Sequence, residues 1–483
     1  MSRRIVGPFN RVEGDLEIKL EIEGGAVRGA WVNSPFYRGF EQILNGKDPR
    51  DALVYTPRIC GICSVSQSMA AATALAAAEG LVAPANGWLM QNIILAAENV
   101  ADHFTHFYLF FMPDFARPIY ADEPWHREVA ARFKAIEGAA SREILPVRAA
   151  FMHIMGTLAG HWPHTLGLHP GGTTHAIDRA GQARVLATLA AFRRFLETRM
   201  FGDGLEVVVA LGSATELTTW AARPGPAGSD FGIFLRLVKA LRLDELGRAT
   251  DRFLSYGAYE QNGAHLFKRG VHMDGQIRAL DQADITEDLS SGWFAHRNGP
   301  RHPSRGVTIP DADAEGGYTW CKAPRLAGQV VEVGALARQL VDGHPLIGDL
   351  VKQSGGNVAN RVIARLVEVA RIVLALEDWT RRIAPHEPFF VQGQLPDDAE
   401  GAGLIEAARG SLGHWMTVKN GRILNYQIIA PTTWNFSPRD AAGVPGACEQ
   451  ALAGAPVREG EADPVAVQHI VRSFDPCMVC TVH

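Results

Sequence analysis

The chain has 483 residues, 47% of them hydrophobic, so it can bury a large core and is too long for one ordinary domain. Its 47 Lys and Arg against 52 Asp and Glu give a formal net charge of −5, which excludes the basic surface typical of nucleic-acid-binding proteins. No charge-free apolar stretch of about 18 residues occurs, so the sequence predicts no membrane span.

The first residues predict a folded segment and not a targeting signal. Arg3-Arg4 would suit a twin-arginine export signal, but such a signal needs an apolar region after the arginines. Asn10, Arg11 and Glu13 follow instead. We therefore expect a cytoplasmic chain.

The next elements are a hairpin and two helix starts. Residues 16–33 alternate apolar and polar side chains around Glu23-Gly24-Gly25, which predicts a β-hairpin. Asp48-Pro49-Arg50 favours a helix start, and Pro57 ends that helix. An alanine-rich helical run follows Ser66 and is closed by Gly80.

Three long segments with apolar residues three and four positions apart predict a helical core. They span 91–112, which Pro113 ends, 181–201 and 356–384. Residues 411–430 alternate again around Asn420-Gly421, a strong hairpin signal. We predict an α+β, predominantly helical fold, with a central bundle of long helices and small β-hairpins near both termini.

The composition along the chain suggests four segments. Between the first long helices and the last, residues 201–330 are rich in Gly, Pro and short polar runs, which indicates an α+β insertion. The predicted segments are an N-terminal α+β part (1–60), a first helical core part (61–200), the insertion (201–340) and a second helical core part with the last hairpin (341–483).

Four of the six cysteines form two C-x-x-C pairs at opposite ends of the chain, Cys60 with Cys63 and Cys477 with Cys480. Six cysteines are too few for a disulfide scaffold of this length. The first pair lies at a predicted helix N-terminus, which favours thiolate. The pairs are more than 400 residues apart, far beyond a local zinc ribbon. A shared site for zinc, iron or nickel, redox dithiols, and no shared role all remain open.

Longer motifs settle the family resemblance. RGFEQILNGKDPRDAL at 38–53, RICGIC at 58–63 and the terminal DPCMVCTVH resemble the large subunit of a nickel–iron hydrogenase. Further matches follow in family order along the chain: Arg11–Gly14, His106–Tyr108, Lys322–Arg325, Arg409-Gly410 and APTTWNFSPRD at 430–440. The related subunit of respiratory complex I lacks the four cysteines, so their presence favours a metal centre.

The resemblance implies a role for each cysteine and for several other residues. Cys60 and Cys477 would be terminal nickel ligands, and Cys63 and Cys480 would bridge nickel to an iron carrying carbon monoxide and cyanide. Glu13 would take the proton from Cys477 when H2 is cleaved heterolytically. The residues expected around the diatomic ligands are Arg409, Pro431 and Thr432; threonine stands where serine is usual, and Ala408 where proline is common.

The resemblance also implies a second, hard cation, Mg²⁺ or iron, bound by Glu41, His483 and the backbone carbonyl of Ile428. Asp114 and Asp475 match acids near the metals, although each also suits a structural role. His103 and His106 are interpreted as core histidines, and Cys321 and Cys448 as small buried hydrophobes.

Three features resemble the hydrogen-sensing, or regulatory, branch of the family. Gln67 stands where histidine is common; it can hydrogen-bond a bridging thiolate but cannot change charge near neutral pH. Ile62 and Phe110 replace smaller residues, which would narrow a gas channel to O2, although a core repack is the simpler alternative. The chain also stops at His483, where related chains are cut by a protease.

Sequence and resemblance together predict a slow, oxygen-tolerant H2-sensing hydrogenase. It would pair with an iron–sulfur small subunit in a heterodimer, or a dimer of heterodimers, depend on maturation proteins, and signal to a histidine kinase. An energy-conserving uptake hydrogenase is the alternative. A non-catalytic scaffold stapled by zinc or thiolates is the remote one.

Overall fold

The computed structural model describes residues 2–261, 263–295 and 299–483. The α-helices are α1 Phe40–Leu44, α2 Ala52–Tyr55, α3 Ser64–Glu79, α4 Ala85–Thr105, α5 His126–Phe133, α6 Ala139–Phe151, α7 His153–Ala159, α8 Arg179–Phe195, α9 Leu205–Val209, α10 Ala214–Ala221, α11 Pro224–Ala227, α12 Asp230–Leu241, α13 Ala335–Asp342, α14 Pro345–Ser354, α15 Val358–Arg382, α16 Pro431–Asn435, α17 Ala447–Leu452, α18 Val465–Phe474 and α19 Met478–Thr481.

The strands are β1 Ser2–Val6, β2 Glu17–Glu23, β3 Ala26–Asn33, β4 Leu168–His169, β5 Gly172–Thr173, β6 Phe253–Gln261, β7 Ala264–Met273, β8 Gln276–Arg278, β9 Ile285–Asp288, β10 Ala323–Leu326, β11 Ala399–Ala407, β12 Gly410–Lys419 and β13 Arg422–Ile429. They form antiparallel sheets in the orders β1-β2-β3, β6-β7-β8 and β11-β12-β13, with the pairs β4-β5 and β9-β10.

Short 3-10 and π-helical turns extend or join the helices. The 3-10 turns are Pro49–Asp51, Thr56–Arg58, Met112–Ala116, Pro118–Tyr120, Gln282–Asp284 and Pro303–Arg305, and the π-helical turns are His106–Phe111 and Leu196–Met200. The predicted α+β, mainly helical fold with hairpins near both termini is confirmed. Among the described residues, no helix is long and apolar enough to cross a membrane.

The long helices α4, α8 and α15 pack together in the largest apolar core. This core draws residues from all four predicted segments, from Val6 in β1 to Met478 in α19. α4 begins earlier than predicted, directly after Pro84, and Pro113 lies within a 3-10 turn. The division into segments stays a prediction.

The alanine-rich face of α3 lies directly against β11. A Cβ built on Gly403 would lie 1.9 Å from the carbonyl oxygen of Ala70, and one on Gly401 would lie 2.0 Å from that of Ala74. Only glycine in the strand and alanine in the helix permit this approach, because any larger side chain would separate the two backbones. The contact fixes α3, whose N-terminus carries the first cysteine pair.

Candidate metal centre

The fold brings the two cysteine pairs together. Cys60 and Cys63 lie between the 3-10 turn at Thr56–Arg58 and α3, and Cys63 is the N-cap of α3. Cys477 and Cys480 lie at the start and within α19. The four Sγ atoms all lie within 4.8 Å of one another.

The four sulfurs form a buried donor set. The Sγ–Sγ distances are 2.8 Å from Cys477 to Cys480, 3.1 Å from Cys63 to Cys480 and 3.5 Å from Cys477 to Cys60. All four cysteines are free and buried. Because four convergent thiol donors are softer than any oxygen or nitrogen set, they fit nickel, iron or zinc and not a hard cation.

The four thiols differ in how readily each loses its proton. Burial raises the pKa of the Cys477 and Cys480 thiols, whereas hydrogen bonds from Cys477 and Cys480 hold the pKa of Cys60 well below its ordinary value. Without a metal, the cluster therefore accommodates one thiolate more readily than four. A bound soft cation removes that restriction, since metal coordination deprotonates thiols outright.

The C-terminal segment that supplies the second pair is held on several sides. The Arg38 guanidinium donates to the carbonyl oxygens of Ile59 and Val479, joining the two halves of the cluster. The Arg38 backbone N–H donates to the Val482 carbonyl at 3.1 Å. A chain terminus usually frays unless it is tied down, and these bonds hold this one in place.

Glu13 lies beside Cys477. The two residues form a parallel β-bridge, in which the Met478 N–H donates to the Glu13 carbonyl at 2.7 Å. Gly14 makes this approach possible, because a Cβ there would lie 2.9 Å from the Val479 nitrogen and its φ is +78°. Burial and the neighbouring Cys60 raise the pKa of the half-buried Glu13 carboxyl, so it holds a proton more readily than an exposed glutamate.

Arg409 lies in a buried acidic pocket. Its Nε donates to the Asp475 carbonyl at 2.9 Å and its Nη2 to Asp475 Oδ1 at 3.2 Å, and its Nη1 lies 2.9 Å from Asp102 Oδ2. The Nη1 contact has poor hydrogen-bond geometry, so Nη1 and both Asp102 carboxylate oxygens lack a hydrogen-bond partner. These atoms can therefore contact a further group at the site.

Pro431 and Thr432 begin the short helix α16, which packs against α19. The Thr432 hydroxyl oxygen accepts the Cys477 N–H at 2.9 Å. Because the oxygen is the acceptor in this bond, the hydroxyl proton remains available for a second partner. Both residues are buried.

Gln67 lies one turn into α3 and is buried against the cysteine cluster. Its Nε2 lies 3.9 Å from Cys480 Sγ, and its Oε1 lies 2.9 Å from His414 Nε2. The predicted contact between this glutamine and a bridging cysteine is therefore present in the structure, at the long end of the range for sulfur acceptors.

The residues predicted for a hard cation also converge. Glu41 Oε1 accepts from the Ile428 backbone N–H at 2.8 Å and lies 3.2 Å from His483 Nε2. The ammonium of Lys322 lies 2.8 and 3.0 Å from the two Glu41 carboxylate oxygens. Although burial opposes it, Lys322 and His483 lower the pKa of Glu41 to about 2. A lysine cation thus already neutralises the predicted carboxylate ligand.

Asp114 lies among cationic side chains. Its carboxylate is fully buried and pairs with Arg11, with Arg117 at 2.9 Å and with Arg472 at 2.7 Å, while His469 lies 3.7 Å away. The acids beside Arg409 are Asp475 and Asp102, and Asp102 lies twelve residues before Asp114, on α4. The role of Asp114 at the metal centre stays a prediction.

The two histidines of this region are core residues, as predicted. His103 Nε2 lies 3.0 Å from Glu368, and His106 Nε2 donates to the Arg472 carbonyl at 2.6 Å. Cys321 and Cys448 are fully buried, also as predicted. Ile62 packs against the apolar cluster that contains the four cysteines, whereas Phe110 is half-buried on the π-helical turn at His106–Phe111.

Sequence reasoning missed three residues near the centre: Asp102, His414 and Lys322. Asp102 lies on the apolar helix α4, where a fully buried carboxylate is rare without a partner, and that rarity was the available signal. His414 lies on the hairpin strand β12, whose period-two pattern gave no indication of its neighbours. Lys322 begins the family motif Lys322–Arg325, for which the sequence predicted no role.

Comparison with known proteins shows the family to which the chain belongs. The family model described as nickel-dependent hydrogenase matches residues 38–137 and 236–483. The periplasmic [NiFeSe] hydrogenase large subunit of Desulfomicrobium baculatum is 31% identical over 99% of this chain and 94% of its own length. The Escherichia coli K12 hydrogenase-2 large chain is 29% identical over 100% of this chain and 97% of its own. A solved structure of the Dm. baculatum [NiFeSe]-hydrogenase superposes with a TM-score of 0.86 at 28% identity and covers both chains completely.

Proposed function

The chain belongs to the nickel-dependent hydrogenase family as a large subunit, and on that premise we propose that it serves a hydrogen-sensing NiFe hydrogenase. One observation carries the catalytic part of this proposal. Four buried thiols converge from opposite ends of the chain, and the backbone of Glu13, whose carboxyl has its pKa raised by burial and by Cys60, is bridged to Cys477. This is the pairing of soft donors and base that heterolytic cleavage of H2 requires.

The cysteines would hold the nickel–iron centre. Cys60 and Cys477 would bind nickel alone, and Cys63 and Cys480 would hold both metals. Cys480 Sγ lies 3.1 Å from Cys63 Sγ and 2.8 Å from Cys477 Sγ, so the division into terminal and bridging ligands rests on the family resemblance. When bound, such a centre supplies the Lewis-acidic metals at which H2 is polarised. Cys480→Ala is expected to abolish nickel incorporation and H2 activity in the assembled enzyme, while Cys448→Ala, far from the cluster, should retain both.

Glu13 would take the proton that H2 cleavage leaves on the Cys477 sulfur. A backbone β-bridge joins Glu13 to Cys477, and the raised pKa of the Glu13 carboxyl suits a group that must accept and release a proton. Its half-exposed position lets the proton leave toward solvent.

The test of this role is isotope exchange. Glu13→Gln keeps the size of the side chain but removes the base, so we expect H2/D⁺ exchange to fall by a factor of 10² or more with nickel content unchanged. Asp15→Asn, an exposed acid two residues away, is the matched control and should leave exchange unchanged. Full exchange activity in Glu13→Gln would refute the assignment.

Arg409, Pro431 and Thr432 would form the wall around the carbon monoxide and cyanide ligands of iron. The unpartnered Nη1 of Arg409 and the free hydroxyl proton of Thr432 are the donors that cyanide nitrogen atoms would need. Infrared spectra of a Thr432→Val variant are expected to show the cyanide bands shifted and the carbon monoxide band less affected.

A second cation near the C-terminus remains part of the proposal. Glu41, His483 and the Ile428 carbonyl would bind Mg²⁺ or iron, and Glu287, whose pKa is raised to about 7 by burial, lies 3.5 Å from Lys322 in the same pocket. Lys322 competes with the cation for Glu41. These donors can bind a divalent ion only if the ion and the Lys322 ammonium both contact the Glu41 carboxylate.

Electrons require a partner. Large subunits of this family pair with a small iron–sulfur subunit, and all four cysteines that converge among the described residues belong to the one proposed nickel–iron site. Maturation proteins would assemble the centre, and a histidine kinase would receive the signal. Assembly as a heterodimer or as a dimer of heterodimers can be measured by native mass spectrometry.

The sensing role is supported by the Gln67 contact with Cys480, since glutamine keeps a hydrogen bond at the bridging sulfur without a titrating group. The relatives named hydrogenase-2 and uptake hydrogenase favour the alternative, an energy-conserving uptake enzyme. H2 oxidation by the purified two-subunit complex, with and without O2, separates the two. Slow, oxygen-tolerant turnover supports sensing, and fast, oxygen-sensitive turnover supports uptake.

The proposed location is the cytoplasm. One relative is described as periplasmic, so location is a point on which relatives can differ from this chain. Cell fractionation with a tagged chain tests it directly.

A further inference from the structure

A buried chain of hydrogen bonds leads from the cysteine cluster into the sheet β11-β12-β13. Gln67 Nε2 lies 3.9 Å from Cys480 Sγ, Gln67 Oε1 lies 2.9 Å from His414 Nε2, and His414 Nδ1 lies 2.8 Å from the Tyr426 hydroxyl. Cys480, Gln67, His414 and Tyr426 are all at most 1% exposed. No water can substitute for a lost partner without a rearrangement of the core, so the direction of each bond matters.

The acceptor at the sulfur end fixes the direction of the whole chain. A metal-bound thiolate can only accept, so Gln67 must present its amide N–H2 to Cys480 and its carbonyl oxygen to His414. His414 must then carry its proton on Nε2, which leaves Nδ1 as an acceptor. Tyr426 has to donate its hydroxyl proton to that nitrogen. Each group has one donor and one acceptor role that satisfies its neighbours.

His414 is suited to this fixed role. Burial lowers the pKa of His414 to about 3, with a smaller contribution from His483 in the same direction and an opposing one from Glu41. The ring is therefore neutral and has a single N–H at neutral pH. The strands hold it in place, since β12 and β13 are paired along their length, with His414 directly opposite Ile428.

From this geometry we propose that His414 is a positioning residue, which orients the Gln67 amide so that its N–H2 donates to the Cys480 thiolate, with Tyr426 fixing the imidazole tautomer. The inference rests on the proposed nickel–iron function and deepens it by assigning the groups that control one bridging sulfur. Hydrogen bonds to a metal-bound sulfur raise the reduction potential of the centre, because they withdraw electron density from the ligand. Loss of His414 should thus lower that potential although His414 contacts neither the metals nor their ligands.

A merely structural role for His414 predicts something different. If His414 only fills the core, its removal lowers stability and leaves the electronic properties of the centre unchanged. The relevant readouts are therefore the midpoint potential of the nickel signal in an EPR redox titration and the infrared bands of the iron ligands, measured on the purified two-subunit complex.

The experiment is a double-mutant cycle of Gln67→Ala and His414→Ala. We expect each single variant to shift the midpoint potential downward and the double variant to shift it no further than Gln67→Ala alone. Tyr426→Phe should give a smaller shift in the same direction. His469→Ala is the matched control, because His469 is also buried and hydrogen-bonded to a tyrosine, Tyr120, at 2.8 Å, and it should give no shift.

The outcomes separate this inference from the function on which it rests. Wild-type complex without nickel would overturn both. If the wild-type complex contains nickel, either of two results would overturn the role of His414 alone. One is a midpoint potential that His414→Ala leaves unchanged, and the other is additive shifts of the potential in the double variant. If His414→Ala loses its metals through misfolding, the isosteric Tyr426→Phe decides, and an unchanged potential there overturns the inference.

Discussion

Adding a single methyl group at Gly403 should displace the helix that carries the first cysteine pair. The Cβ of Gly403→Ala would lie 1.9 Å from the Ala70 carbonyl oxygen, 2.7 Å from the Ala74 nitrogen and 2.9 Å from the Ala70 carbonyl carbon. All three atoms are backbone, so no side chain can rotate away. To restore ordinary contact, α3 and β11 must separate by about 1.5 Å, and overpacking of this kind costs roughly 1–3 kcal/mol.

The magnitude can be followed in two assays. For a chain of this length, roughly 2 cal/mol/K per residue of unfolding entropy makes 1–3 kcal/mol equal to about 1–3 °C in Tm. Since Cys63 caps α3, we also expect lower nickel content in the purified complex. Gly348→Ala in α14 is the matched control: its Cβ meets no atom within 4 Å, and alanine there should be neutral or stabilising by up to about 1 kcal/mol. Equal Tm and nickel content in wild type and Gly403→Ala would refute the close contact.

Three further predictions concern buried charges. Burial raises the pKa of Glu449 to about 7, so its contribution to stability is fully present below about pH 4.5 and is lost as pH rises through 7. Glu449→Gln should therefore reduce the fall in Tm between pH 5 and pH 8 by about 3 °C. A pH profile of Tm unchanged from wild type would contradict this. Lys322→Met removes the ammonium from Glu41, so elemental analysis should show more Mg²⁺ bound; less Mg²⁺ would mean that the lysine supports the cation site. Asp102→Asn leaves Arg409 with Asp475 as its remaining charged neighbour, and we expect slower H2 oxidation with nickel content retained; full activity would place Asp102 outside the mechanism.

Much of the fold followed from local sequence signals. Gly80, with φ +66°, closes α3 where the alanine run predicted a helix end, and Asn420-Gly421 turns the last hairpin as predicted. β11 was missed because Gly401 and Gly403 interrupt the strand pattern. Those glycines exist for a tertiary reason, the close approach of α3, which no local pattern reports.

The candidate site, like the fold, has parts that the sequence predicts and parts that it does not. The family motifs carried the four cysteines, Glu13 and Arg409, and the structure brings all of them to one place. Asp102 was not singled out because the sequence offers the same residue type at Asp114, twelve residues later, and does not report which cation each acid meets. Lys322 contacts Glu41 and His414 contacts Gln67, across separations of 281 and 347 residues along the chain. Contacts between such distant elements are defined only by the folded chain.

The most direct test of the account is metal analysis of the two-subunit complex, wild type against Cys480→Ala, by inductively coupled plasma mass spectrometry. If the four cysteines hold a nickel–iron centre, we expect stoichiometric nickel in the wild type and none in the variant, with the iron of the small subunit retained in both. Zinc in place of nickel in the wild-type complex, or nickel retained after loss of Cys480, would contradict it.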